Sequence, residues 1–348
     1  MDGQKTLNNY IEDFEQNTLV IVKKEKQMKI LITGAAGFIG TNLCEYMLEK
    51  DYTVIGLDNF ATGFKGNLSP FLNNPNFHFI EGDIRNFEQC LQASKGVDCV
   101  LHQAALGSVP RSLKDPITSN EVNVTGFLNM LEASKQNNVK RFVYAASSST
   151  YGDSEVLPKV EGKIGKPLSP YAITKYVNEL YAEIYSSSYG LETIGLRYFN
   201  VFGRRQDPQG AYAAVIPKFI GQFLKGESPR VNGDGSFSRD FTYIDNVLQM
   251  NFLAMITTNS LAVNQVYNTA VGCRITIKEM TELIREGLSE FDQKISEVEI
   301  LFGPKRAGDI PHSQASIEKA KKLLNFNPTH DFQKGLKESL SWYYNNLK

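Results

Sequence analysis

The chain is poor in the residues that build metal centres and disulfide frameworks. It has four cysteines (Cys44, Cys90, Cys99, Cys273) and four histidines (His78, His102, His312, His330), all widely spaced. These spacings fit neither zinc ligation nor a set of disulfides, so no metal is expected. The chain also lacks an excess of charge: 37 basic residues face 38 acidic ones, a net charge of -1. Nucleic acid and anionic membrane surfaces are therefore not expected partners. No apolar run approaches the roughly 18 residues of a membrane span. The opening "MDGQKTLNNYIEDFEQ" is polar and acidic, with no apolar core of the signal-peptide kind. A reduced, cytoplasmic setting is the expectation. No repeat or low-complexity segment occurs.

What is present is ordinary globular material: 348 residues, 42% hydrophobic and 22% charged, enough for about two domains. Residues 1–27 read as a short helical extension. From Met28, continuous apolar strands alternate with helical patterns. Strands are expected at 28–33, 53–58, 77–83, 99–105, 141–148 and 192–201, and helices at 38–50, 123–137 and 171–190. Alternation of this kind predicts an α/β fold, a doubly wound parallel sheet with both faces covered. After about residue 200 the rhythm breaks into shorter pieces. A second, smaller α/β domain is expected there, with helices near 213–225, 276–290, 316–324 and 333–346.

"ITGAAGFIG" sets Gly34, Gly37 and Gly40 between the first strand and the first helix. Such glycines permit a tight turn and let backbone approach a pyrophosphate at a helix N-terminus. The next strand ends in Asp58, 24 residues past Gly34. An acid there holds ribose hydroxyls and repels a 2′-phosphate, which favours NAD over NADP. Asp83 ends the third strand and Ile84 follows it, where they suit an adenine. "HQAA" (102–105) ends the fourth; His102 by itself is more often a satisfied core histidine than a catalyst.

"SPYAITKY" spaces Tyr171 and Lys175 four apart, on one helix face. A phenol with an ordinary pKa of roughly 10 becomes a base at neutral pH only beside cations. Lys175 supplies one. A serine at the end of a neighbouring strand would complete the proton path, and "ASSSTYG" (146–152) offers Ser147, Ser148 and Ser149.

With these motifs in order, the chain resembles an extended short-chain dehydrogenase/reductase of the UDP-hexose 4-epimerase family from residue 28 to about 345. "LDNFATG", "GDIRN", "HQAALGSVPRS", "LRYFNVFG", "NGDGSFSRDFTYIDN" and "RAGDIPHSQAS" add to the likeness, which is greatest to bacterial epimerases of N-acetylated UDP-hexoses in surface polysaccharide synthesis. The resemblance implies NAD held by Gly34, Gly37, Phe38, Ile39, Gly40, Asp58, Asn59, Thr62, Asp83, Ile84, Gln103, Ala104, Ala105, Tyr171, Lys175 and Tyr198. It implies Ser147, Tyr171 and Lys175 as the catalytic set. A UDP-sugar would meet Gly107, Ser108, Ser147, Ser149, Tyr171, Asn200, Asn232, Arg239, Arg306, Asp309 and Ser313. On this basis residues 28–199, with a returning segment near 244–271, form the NAD-binding domain. Residues 200–243 and 272–348 form the UDP-sugar domain. A homodimer built from helices near 118–137 and 170–189 is also implied.

The implied chemistry is C4 epimerisation through a transient 4-keto sugar. Related dehydratases need carboxylates just after the strand serine, and Ser148 and Ser149 stand there instead. A bulky tyrosine often closes the sugar pocket at the position of Ser313; serine leaves room for a 2-N-acetyl group. UDP-N-acetylglucosamine and UDP-N-acetylgalactosamine are thus the expected substrates. Arg111, or Arg204 with Arg205, would suit a C6 carboxylate, which leaves the uronates open beside the plain hexoses.

Overall fold

The computed structural model describes residues 27–210, 213–305 and 310–347. The helix expected in the N-terminal extension lies outside them. Seven parallel strands form one sheet: β1 (Lys29–Thr33), β2 (Thr53–Asp58), β3 (Phe77–Glu81), β4 (Cys99–His102), β5 (Arg141–Ser147), β6 (Glu192–Tyr198) and β11 (Gln265–Thr269). Their spatial order is β3-β2-β1-β4-β5-β6-β11. Ile30, Leu31 and Ile32 of β1 are fully buried, as a central strand covered on both faces requires.

The covering helices are α1 (Phe38–Leu48), α2 (Phe87–Ala93), α3 (Val109–Lys114), α4 (Pro116–Asn120), α5 (Gly126–Gln136), α6 (Pro170–Tyr189), α7 (Val215–Leu224), α8 (Ile244–Ile256), α9 (Ile277–Ser289), α10 (Glu318–Leu324) and α11 (Phe332–Leu347). The longest, α6, has clear local causes. The Ser169 hydroxyl accepts from the Ala172 N–H at 3.1 Å, and Pro170 occupies the first turn. Gly190, at φ +72°, ends it. Among the described residues no helix is long and apolar enough to cross a membrane.

Three small ladders complete the second half. β7 (Val201–Phe202) pairs with β10 (Thr242–Tyr243), β8 (Arg230–Asn232) with β13 (Leu301–Gly303), and β9 (Ser238–Arg239) with β12 (Ile275–Thr276).

The strands expected to reach 83 and 105 stop at Glu81 and His102, and two further elements differ from expectation. The strand expected through Val201 stops at Tyr198, because Asn200 adopts φ +36° and turns the chain out of the sheet into β7. The helix expected from 123 opens as a π turn, Glu121–Thr125, and becomes α-helical only at Gly126. The wide turn lets the Asn123 side chain reach both the N–H and the carbonyl oxygen of Leu106, at 2.8 and 3.1 Å.

Candidate active site

The sheet order reverses between β1 and β4, and ligands of open α/β sheets gather at the carboxyl side of that crevice. The glycine turn stands there. Gly34 has φ +69°, and a Cβ on it would lie 2.9 Å from the Ala104 nitrogen. A Cβ on Gly40 would lie 1.9 Å from the Gly34 carbonyl oxygen. Both positions therefore demand glycine. The turn lines a cleft of about 470 Å³. The same cleft brings together Phe38, Ile39, Asp58, Asn59, Thr62, Asp83, Ile84, Gln103, Ala104, Ala105 and Gly107.

Asp58 is nearly buried at the end of β2. Its carboxylate accepts from the Ala36 N–H at 2.9 Å and the Phe60 N–H at 2.7 Å. Burial raises its pKa, and these backbone donors pull it back. Asp83 behaves oppositely. Arg85 and Asn59 hydrogen-bond its carboxylate and hold its pKa down at about 2. Ile84 is buried against the start of α5, where a Cβ on Gly126 would meet its side chain at 2.6 Å.

The serines end β5. Ser147 pairs in register with Tyr198 of β6. The Ser149 hydroxyl donates to the Ser147 oxygen at 2.9 Å. Ser147 in turn lies near enough to the Tyr171 phenol to act on its pKa. Burial pushes the Tyr171 pKa up, and Ser147 is what draws it down. Lys175 was expected to do that. Its ammonium is aimed instead at the Ala145 carbonyl oxygen, 2.8 Å away, at the foot of the serine run. Burial lowers the Lys175 pKa to about 8, so it remains charged at neutral pH.

Several residues beyond the expected set hold this site. Thr33, directly before Gly34, accepts from the Gln103 and Ala104 N–H groups at 3.2 and 3.1 Å. It also bonds His102 Nδ1 at 2.9 Å. His102 is buried, stacked on Phe142, with its pKa pushed down to about 3. It is a neutral core histidine. Asn251 of α8 links Gln103 (3.1 Å) to Tyr198 (2.8 Å), and Tyr198 donates to Gln103 at 2.9 Å. Nothing in the local sequence of α8 marks Asn251. The Ser112 hydroxyl accepts from the Tyr171 N–H at 3.0 Å, tying α3 to the start of α6.

The remaining expected residues belong to the second half of the chain, apart from Ser108. Asn200 is exposed and donates to the Asp240 carbonyl oxygen at 2.9 Å. Asn232 is exposed at the end of β8. Arg239 donates to the carbonyl oxygens of Ser238 and Pro311. The Ser313 N–H donates to the Ser238 carbonyl oxygen at 3.0 Å. The Ser108 hydroxyl, expected to face a sugar, caps α3 by accepting from the Arg111 N–H at 3.2 Å. Arg306 and Asp309 lie outside the described residues.

One expectation is corrected. Arg204 and Arg205 do not offer free guanidinium groups to a substrate carboxylate. Arg204 pairs with Asp245 at 2.5 Å, and Arg205 grips both Glu45 oxygens at 2.6 and 2.7 Å. Asp245 also comes within 4.8 Å of ligand atoms on His330 and Glu338. Arg204 already occupies that carboxylate with positive charge.

The residues fit a dinucleotide on their own terms. Among the described residues the buried Lys175 ammonium, with three N–H groups, has one hydrogen-bond acceptor. Gln206, on the rim of the cleft, has a buried side-chain oxygen with no partner. A glycine turn that a Cβ would fill completes the cradle.

A strand–glycine turn–helix at the sheet's switch point, facing a serine–tyrosine–lysine cluster, defines a dinucleotide-dependent enzyme of the short-chain type. Residues 30–270 match the NAD dependent epimerase/dehydratase family, and the chain belongs to it. Its cofactor is NAD. A putative UDP-glucose 4-epimerase of Methanocaldococcus jannaschii is 35% identical over 319 residues, 91% of this chain and 99% of that one. The solved UDP-N-acetylglucosamine 4-epimerase of Methanobrevibacter ruminantium, in complex with UDP-N-acetylmuramic acid, is 37% identical. That match covers 92% of this chain and 99% of the other, with a TM-score of 0.84. The UDP-glucuronic acid 4-epimerase of Bacillus cereus, solved with UDP-glucuronic acid and NAD, is 30% identical. It covers 91% and 99%, with a TM-score of 0.81. All three are named as 4-epimerases of UDP-sugars, and they differ in the sugar.

Proposed function

We propose that this protein interconverts UDP-N-acetylglucosamine and UDP-N-acetylgalactosamine. The observation that carries the choice of sugar is Ser313. It is a small, half-buried side chain on a segment bonded to β9, beside Arg239. A serine there leaves volume for a 2-N-acetyl group that a tyrosine would fill. The commitment of Arg204 and Arg205 to Asp245 and Glu45 takes that pair out of the uronate alternative and leaves it to Arg111, which lines the cleft.

NAD, when bound, supplies the chemistry of taking a hydride from C4 of the sugar and giving it back to the other face. The protein's part is proton transfer and placement. Tyr171 removes the 4-hydroxyl proton, directly or through Ser147, and later returns it. Ser147 holds the sugar oxygen and is itself oriented by Ser149. Lys175 keeps a positive charge beside the serine strand, held on the Ala145 carbonyl oxygen, while Ser147 draws the Tyr171 pKa down. No carboxylate stands at Ser148 or Ser149, so the keto sugar meets no acid or base there that would expel water. Binding energy comes from the nucleotide end, which does not react, so the sugar is free to turn.

The test is incubation with UDP-N-acetylglucosamine without added NAD, followed by NMR. A product of unchanged mass with the galacto configuration is expected, and Ser313→Tyr should suppress it while sparing UDP-glucose. Turnover confined to UDP-glucose, or equal turnover of the acetylated sugar by Ser313→Tyr, would refute the substrate assignment.

We also propose a homodimer. The face of α6 turned away from the sheet exposes Ile173, Leu180 and Ile184, and α4 exposes Ile117 at 72%. An apolar stripe of this kind on adjoining helices suits a second copy packed helix to helix.

A further inference from the structure

Asp240 belongs to no reactive group and is fully buried, yet it is a carboxylate. One oxygen accepts from the Val271 N–H at 3.1 Å. The other accepts from the Gly272 N–H at 3.0 Å and the Ala315 N–H at 3.1 Å. Its backbone oxygen accepts from Asn200. One residue thus joins the end of the seven-stranded sheet, the turn that follows β11, and the segment that carries Ser313. Its neighbours reinforce the same seam. Ser238 bonds Pro311, His312 and Ser313, and Gln314 donates to the Gly272 carbonyl oxygen at 2.8 Å.

We propose that Asp240 is a positioning residue for the UDP-sugar. Its carboxylate fixes segment 311–316 against β9 and so sets the distance between the wall that bears Ser313 and the one that bears Arg239 and Asn200. Burial pushes the Asp240 pKa up to about 7, so keeping this carboxyl ionised carries a cost. A buried charge is a poor device for stability alone. Its three N–H partners lie on two separate segments: one oxygen spans both, taking Gly272 and Ala315, and the other takes Val271.

This inference rests on the UDP-sugar reading of the site, and the experiment separates the two. Asp240→Asn keeps the shape but has one acceptor oxygen, so an amide N–H₂ faces either the Val271 N–H or the Gly272 and Ala315 N–H pair, and the tie across the two segments loses at least one bond. The variant should retain its NAD and keep kcat within about threefold. KM should rise about tenfold or more, equivalent to about 1.4 kcal/mol of lost substrate binding. The dissociation constant for UDP alone, measured by calorimetry, should weaken in parallel. A folded Asp240→Asn variant with wild-type KM and wild-type UDP affinity would overturn the proposal. So would a fall in kcat and NAD content at constant KM. Should Asp240→Asn not fold, Gln314→Ala loosens the same segment without touching a buried charge. A raised KM is expected there, and an unchanged one is equally fatal. If the wild type turns over neither UDP-N-acetylglucosamine nor UDP-glucose, the proposed function fails, and UDP affinity alone then decides the role of Asp240.

Discussion

Lys175 should cost the protein stability in return for function, and the size of that cost follows from its surroundings. The side chain is buried on α6, and its pKa falls from an ordinary 10.5 to about 8. At about 1.4 kcal/mol for each pH unit, burying the charged form costs about 3 kcal/mol. The hydrogen bond to Ala145 returns about 1 kcal/mol. Lys175→Met, similar in length and uncharged, should therefore stabilise the NAD-free protein by about 2 kcal/mol at pH 7 while abolishing turnover.

The sign with pH is specific. Below pH 8 both folded and unfolded lysine are charged, and the cost is fully present. Between pH 8 and 10.5 the unfolded chain binds more protons, so wild-type stability rises with pH and the gap to Lys175→Met closes. NAD should also narrow the gap at pH 7, because it brings acceptors for the spare N–H groups and binds only the folded state. Urea unfolding of both proteins from pH 6 to 10.5, with and without NAD, measures this. A methionine variant less stable at pH 7, or a difference that does not change with pH, would refute the reasoning.

Two further outcomes are expected. Tyr171→Phe should lower kcat at least a thousandfold yet leave the protein folded with its NAD, as read from the nucleotide released on denaturation; substantial residual turnover would remove Tyr171 as the proton carrier. Ile184→Glu places a charge in the exposed α6 stripe and should convert a dimer to monomers in size-exclusion chromatography with light scattering, whereas an unchanged mass would place the interface elsewhere.

The legible parts of this protein are those whose causes are local. Gly34 takes its left-handed φ within the turn and Gly40 packs on the Gly34 carbonyl oxygen, although the Ala104 backbone that also crowds Gly34 is remote in sequence. Tyr171 and Lys175 share a face because a helix has a fixed period, and that helix is announced by Ser169 and Pro170 before it and Gly190 after it. The carboxyl-end placement of Asp58 and Ser147 follows from where apolar runs stop. Even so, the helix expected from 123 was only partly right, since the π turn answers to a loop that Asn123 holds from 17 residues away.

Long-range pairing was not legible. Arg204 and Arg205 read as free cations because their carboxylates, Asp245 and Glu45, are 41 and 160 residues distant. Asn251 looks like any polar residue in α8 until Gln103 and Tyr198 arrive beside it.

The amino-acid sequence by itself determined the parallel sheet, the glycine turn at its switch point and the shared helix face of Tyr171 and Lys175, because strand alternation, glycine spacing and helical period act over a few residues. Tertiary structure alone decided which charges are already spent, that Lys175 turns to Ala145 while Ser147 faces Tyr171, and that Asp240 binds two remote segments. Those are properties of groups brought together by folding, and burial and hydrogen-bond partners exist only once the chain has closed around them.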